Sequence, residues 1–161
     1  MIKNEFFDAV NYAICRAVNR HLEEQATEFF RTVGEFHLQE ALRQGLLCFQ
    51  SEDSPLDRLC KVARYLEACG YMERIVIEKL SATEAIVEMH GVTVSASSAA
   101  LLREGRQPSH YMTNLMFAVL REQSIQAELQ DMEYDAEAAR FKEHWRILGS
   151  VPPFRGTSDA S

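Results

Sequence analysis

Apolar side chains recur every three to four positions through the first part of this chain, then every second position in two later stretches. The first pattern predicts helices. Phe6, Val10, Ile14 and Ala17 form one stripe, widened by Phe7 and Val18, so residues 4–22 read as a helix with Asn4 as its cap. The pattern runs on through Phe29, Phe30 and Val33 to Gly34, as one long helix or two joined ones. A further helix is predicted from Glu35 to Phe49 on Leu38, Leu42, Leu46 and Phe49, with Gly45 marking close packing or an early end. Ser54-Pro55 is a helix start, a capping hydroxyl followed by proline at the first helical position, and Asp57 can return the capping bond. That helix buries Leu56, Leu59, Val62, Ala63 and Leu66 and stops at Gly70.

The period then shortens to two. Residues 72–80 and 83–89 read as a hairpin around Ser81-Ala82. Residues 97–103 are weakly helical up to Gly105. Ser109 is the expected cap of a late helix, residues 110–123, with Tyr111, Met112, Leu115, Met116, Val119 and Leu120 apolar. A second hairpin turns at Asp135-Ala136-Glu137. In its last strand Ala139, Phe141, Glu143, Trp145 and Ile147 share one face, and Arg140, Lys142, His144 and Arg146 the other. The prediction is an α+β fold in α-α-α-β-β-α-β-β order, with an antiparallel sheet of about four strands covered by helices. Residues 1–148 form one domain, helical to about residue 70 and sheet-bearing from 71. Residues 149–161, with Pro152-Pro153, are expected to be a flexible tail.

Composition narrows the function classes. At 161 residues, 47% hydrophobic and 25% charged, the chain suits one globular domain. Its net charge of −7 repels phosphate backbones, and no basic stripe offsets it; Arg16 and Arg20 share a helical face, but Glu23 and Glu24 follow. Nucleic acid is therefore not an expected partner. No run of about 18 apolar residues could span a bilayer, and residues 1–5 lack a signal peptide's features, so the expected location is cytoplasmic. Cys15, Cys48, Cys60 and Cys69 are too scattered for a zinc site and read as reduced thiols.

Catalytic chemistry is poorly represented. His21, His37, His90, His110 and His144 show no metal-ligand spacing, so no metal motif exists. There is no nucleotide-binding glycine loop and no nucleophile elbow. Acidic pairs such as Glu23-Glu24 and Glu52-Asp53 read as solvated surface. The Met-rich face of the late helix (Met112, Met116 and Phe117, with Met89 and Met132) fits a core, a helix–helix seam or a ligand pocket.

The late helix, Tyr111-x-x-Asn114-Leu115-x-x-x-Val119-Leu120-Arg121, lies between two hairpins. With Tyr65-Leu66-x-x-x-Gly70 before it, this order resembles the TRAPP-subunit and 4-vinyl-reductase-like superfamily. The resemblance implies a helix-covered antiparallel sheet, dimers formed through helices, and the binding of hydrophobic molecules, tetrapyrroles among them. It also implies an acylated cysteine in one branch, near the place of Cys48. Paired cysteines found near the last strands of another branch are replaced here by Glu143-His144-Trp145.

The expected function is that of a homodimeric, non-catalytic binding module or assembly factor. The cofactor is unknown; a tetrapyrrole or a lipid acyl chain is the first candidate, held near Cys48, Leu66, Tyr111, Leu115, Met116 and Trp145. Asn114 is expected to make a packing or interface hydrogen bond, since a buried amide left unpaired costs about 1–3 kcal/mol. The rivals are an enzyme or accessory of pigment biosynthesis, using His110, Tyr111 or His144 as proton donor, and a ligand-free scaffold.

Overall fold

The computed structural model describes residues 3–135 and 137–150. Helix α1 spans Asn4–Leu22 and a short 3-10 turn, Glu23–Gln25, joins it to α2, Ala26–Arg43. Helix α3, Pro55–Ala68, leads into β1, Arg74–Lys79, and β2, Glu84–His90. Helices α4, Ser95–Arg103, and α5, Tyr111–Glu122, precede β3, Ile125–Asp135, and β4, Arg140–Ser150. All strand pairs are antiparallel, in the order β1-β2-β4-β3. The expected α+β class, four strands and two hairpins are all present. Strand β4 runs two residues past 148, and Pro152-Pro153 lies outside the described residues.

Local chemistry accounts for several boundaries. The Ser54 hydroxyl accepts from the Asp57 amide at 3.2 Å, and the Asp57 carboxylate accepts from the Ser54 amide at 3.2 Å. This is the predicted reciprocal cap. Gly70, at φ +74°, closes α3: its amide donates to Glu67 O, and the Tyr71 amide donates to Leu66 O. Helix α2 stops at Arg43, earlier than Phe49, because Gly45 takes φ +70° and the Leu46 amide turns back to Ala41 O.

Three local expectations differ from the structure. The break between the first two helices falls at Glu23–Gln25, and Gly34 lies inside α2. Gly34 is there for contact: a Cβ would sit 2.6 Å from the Asn114 carbonyl oxygen, so α2 and α5 approach backbone to backbone. The N-caps of α1 and α5 are Lys3 and His110, each without a side-chain capping bond, so neither Asn4 nor Ser109 caps. The third difference concerns the buried face of α1. That face carries Asn11, Cys15 and Val18, while the predicted stripe looks outward, with Phe6 62% and Ile14 43% exposed. Polar contacts turn the helix this way. Asn11 Nδ2 donates to Ser97 Oγ at 2.7 Å, and the Ser97 amide, in the first turn of α4, donates to Asp8 Oδ1 at 3.1 Å.

Helix α5 is the centre of the molecule. Met112 to Met116 and Ala118 to Leu120 are all buried, with α2 on one side and the sheet on the other. One core joins α3, α5 and the inner sheet face through Leu59, Val62, Val87, Leu115, Met116 and Trp145. A smaller one joins α1, α2 and α4 through Cys15, Val18, Ala26, Phe30 and Leu101. The outer sheet face carries ion pairs such as Arg146–Glu84 at 3.0 Å and Arg140–Glu88 at 3.8 Å. Among the described residues no helix is long and apolar enough to cross a membrane.

Candidate functional site

Strand alternation puts every second residue of β4 inward, and Glu143 falls on that register between Phe141 and Trp145. Its carboxylate is therefore buried, at 1% exposure. Two donors meet it: Thr113 Oγ1 of α5 at 2.6 Å and Trp145 Nε1 at 2.9 Å. No cation is paired with it among the described residues. Burial pushes the Glu143 carboxyl above the usual carboxylate range, and the bonds from Thr113 and Trp145 pull partly back.

Glu143 lines a small cavity of about 30 Å³, walled also by Tyr71, Met89, His110, Tyr111 and Phe141. This is space for about one water molecule. His110 enters the wall because its backbone is left-handed, at φ 44°, immediately before α5. Burial lowers the pKa of the His110 imidazole, so it stays neutral near pH 7. Burial raises the phenols of Tyr71 and Tyr111, which keep their protons. The wall therefore mixes a carboxyl, two hydroxyl donors and a neutral imidazole with soft methionine side chains. It can recognise a guest bearing hydrogen-bond donors, and Met89 and Met112 can move to admit it.

The residues expected to form a pocket are only partly together. Tyr111 lines the cavity, and its ring meets Phe30 edge-on at 6.4 Å. Trp145 is fully buried behind Glu143 and packs on Phe117 at 4.5 Å. Leu115 and Met116 are fully buried on α5, and Leu66 is buried on α3. Cys48 is exposed on the loop after α2. Asn114 Nδ2 donates to Ser109 O at 2.9 Å and fixes the entry to α5. Sequence reasoning saw Glu143 on the apolar face but gave it no role. A carboxylate at an inward strand position was the available signal. Tyr71 and Thr113 carried no such mark.

A larger groove of about 1080 Å³ lies on the surface between the end of α1 and the 105–107 loop, walled by Arg16, Arg20, Arg106, Glu23 and Glu24. Its walls are charged with both signs and open to solvent, unlike the interior site. Among the described residues no cluster of three or more His, Cys, Asp or Glu could hold a metal.

Known structures give this architecture a context. A Cs H-NOX mutant superposes with a TM-score of 0.56 over 94% of this chain and 76% of its own, at 11% identity. The Fe(II) unliganded H-NOX protein from K. algicida gives 0.51 over 79% and 65%, at 14% identity. The fold is H-NOX-like. A third structure, from work on heme distortion in the H-NOX family, gives 0.51 over 85% and 70%, at 11% identity. The chain thus spans roughly two thirds to three quarters of these H-NOX chains. Neither a protein-family model nor a curated protein matches it.

The resemblance to TRAPP subunits and 4-vinyl-reductase-like proteins is corrected by this result. Its motif residues explain why it misled: Asn114, Leu115, Val119 and Leu120 are buried on α5. Such positions serve any helix packed between another helix and a sheet, whatever the family.

A haem can be tested against this interior. Sites that enclose a ligand of drug size or larger measure roughly 300–1,000 Å³, against about 30 Å³ here. Trp145, Phe141 and Glu143 fill the inner sheet face. As packed, the residues around His110 do not fit a porphyrin.

Proposed function

We propose that this chain is a non-catalytic ligand-binding domain of the sensor type, with its site between α4, α5 and the inner face of β2 and β4. One observation carries the reading: a fully buried carboxyl without a cation partner, held by Thr113 and Trp145 on a cavity wall. Burying such a group costs stability, and perturbed groups facing cavities concentrate at functional sites. The ligand is small and presents hydrogen-bond donors or a positive charge to Glu143. The H-NOX-like fold supports a ligand-binding role. Of the ligand classes expected from sequence, a tetrapyrrole is the one that this likeness suggests, but it would have to open the interior around His110 and displace Met89 and Met112, so the packing favours the smaller ligand.

Native mass spectrometry of freshly purified protein, and of protein incubated with hemin or with palmitate, tests the proposal. A small adduct held by the wild type and lost in Glu143→Gln, with the variant no less stable than the wild type, supports the Glu143 site. Hemin retained in both proteins but lost in His110→Ala supports the tetrapyrrole reading instead. Protein free of adducts under every condition overturns both in favour of a scaffold.

A further inference from the structure

Helix α1 leaves its apolar face in solvent. At 100° per residue, Phe6, Val10, Ile14 and Ala17 fall on one side of the helix. Phe6 is 62% and Ile14 43% exposed, Ala17 is exposed and Val10 half-buried. The opposite flank, through Asn11, Cys15 and Val18, is the one that packs on the rest of the chain. A stripe of this length, about 17 Å from Phe6 to Ala17, is what a helix presents to another helix.

The charges beside the stripe are distributed unevenly. Glu5 lies at the N-terminal end of one flank, and Arg16 and Arg20 lie at the C-terminal end of the same flank. Among the described residues none of the three is in an ion pair within the chain. This layout is self-complementary under a two-fold rotation. When two copies of α1 lie antiparallel with Phe6 level with Ala17 of the other copy, Val10 comes level with Ala13 and next to Ile14. Glu5 is then level with Val18 of the second copy, midway between its Arg16 and Arg20 and about 3 Å along the axis from each. In a parallel two-fold arrangement the charged flanks of the two copies would lie on opposite sides of the seam, so Glu5 would not meet the arginines.

We propose that α1 is a homodimer interface in which the Phe6–Val10–Ile14–Ala17 stripes of two copies pack antiparallel, with Glu5 of each facing Arg16 and Arg20 of the other. The occupant of the stripe is a second copy of this chain, because the flanking charges complement themselves. The proposal does not rest on the ligand site, which lies on α5 and β4.

Light scattering and sedimentation of the full chain at about 50 µM in low salt test it. The expected mass is twice that of the 18.4 kDa chain. Ile14→Glu should give a monomer with an unchanged far-ultraviolet spectrum and melting temperature, since the position faces solvent. Glu5→Arg and Arg20→Glu should each weaken dimerisation several-fold, and the double variant should restore it, because the swap returns opposite charges to the pair. Raised salt should weaken the wild type. A monomeric wild type overturns the proposal, as does a dimer that survives Ile14→Glu. Failure of the double variant to recover overturns the antiparallel pairing.

Discussion

Replacing Glu143 with glutamine changes one oxygen in the most buried ionisable group of the inner sheet face. The amide can keep both bonds. Its carbonyl takes the Trp145 Nε1–H now held at 2.9 Å, and its NH2 donates to the Thr113 hydroxyl now at 2.6 Å. What is lost is the charge. Burial raises the folded-state pKa of Glu143 above its unfolded value. Between those two values the native state binds more protons than the unfolded chain, so stability falls as pH rises through the interval. Each pH unit of that interval costs the wild type about 1.4 kcal/mol by the time the group is fully ionised. Glutamine does not titrate and avoids this cost. Glu143→Leu, by contrast, strands the indole N–H in the interior at about 1–3 kcal/mol. Urea unfolding read by the fluorescence of Trp145, the one tryptophan of the chain and fully buried, measures all three proteins at pH 5 to 8. The stability of Glu143→Gln relative to wild type should increase steadily with pH, and Glu143→Leu should be the least stable protein at pH 5. A glutamine variant that loses more stability at pH 8 than at pH 5 would refute the reasoning, for the charge itself would then be stabilising.

Gly34→Ala should cost about 1–3 kcal/mol in thermal or urea unfolding, because the new methyl meets the Asn114 carbonyl at 2.6 Å and α2 must move off α5. Ser54→Ala should cost about 1 kcal/mol through the lost cap. It should also advance acid unfolding to higher pH: Lys79 first, then Ser54, hold Asp57 down to about 2, and that stability is present above the unfolded carboxylate range and lost as pH falls through about 2. Removing Ser54 moves the loss upward, which an acid titration by circular dichroism detects. Asn19→Ala removes the clamp in which Nδ2 donates to Gln107 O at 2.8 Å and Oδ1 accepts from the Gln107 amide at 2.9 Å. Hydrogen exchange at the Gln107 amide should speed markedly while exchange in α5 is unchanged.

Most of the architecture was legible because local signals agreed with one another. The Ser54–Asp57 cap, the Gly70 stop and the alternation through Phe141, Trp145 and Ile147 each have one physical meaning, and the structure uses each that way. Helix α1 was read onto the wrong face because amphipathicity ranks apolar area alone. The real interior of that helix is held by Asn11 and Asp8 bonding to Ser97, a residue 86 positions from Asn11. Long-range polar pairing of this kind leaves no periodic trace. Gly34 was likewise read as a break, whereas its role depends on the Asn114 backbone opposite it. The site was the least legible part. Tyr71, His110, Thr113 and Glu143 come from the loop after α3, a left-handed residue, α5 and β4. The misleading family resemblance rested on positions that any buried helix fills with apolar side chains.

An H-NOX-like fold here encloses a small polar cavity at Glu143, too closely packed for a macrocycle. Titration of the purified full chain with hemin, followed by absorbance, tests this most directly. The expected spectrum remains the sum of free hemin and protein, unchanged between wild type and His110→Ala. A saturable Soret band at one hemin per chain, lost in His110→Ala, would contradict it and show that the interior opens around that imidazole.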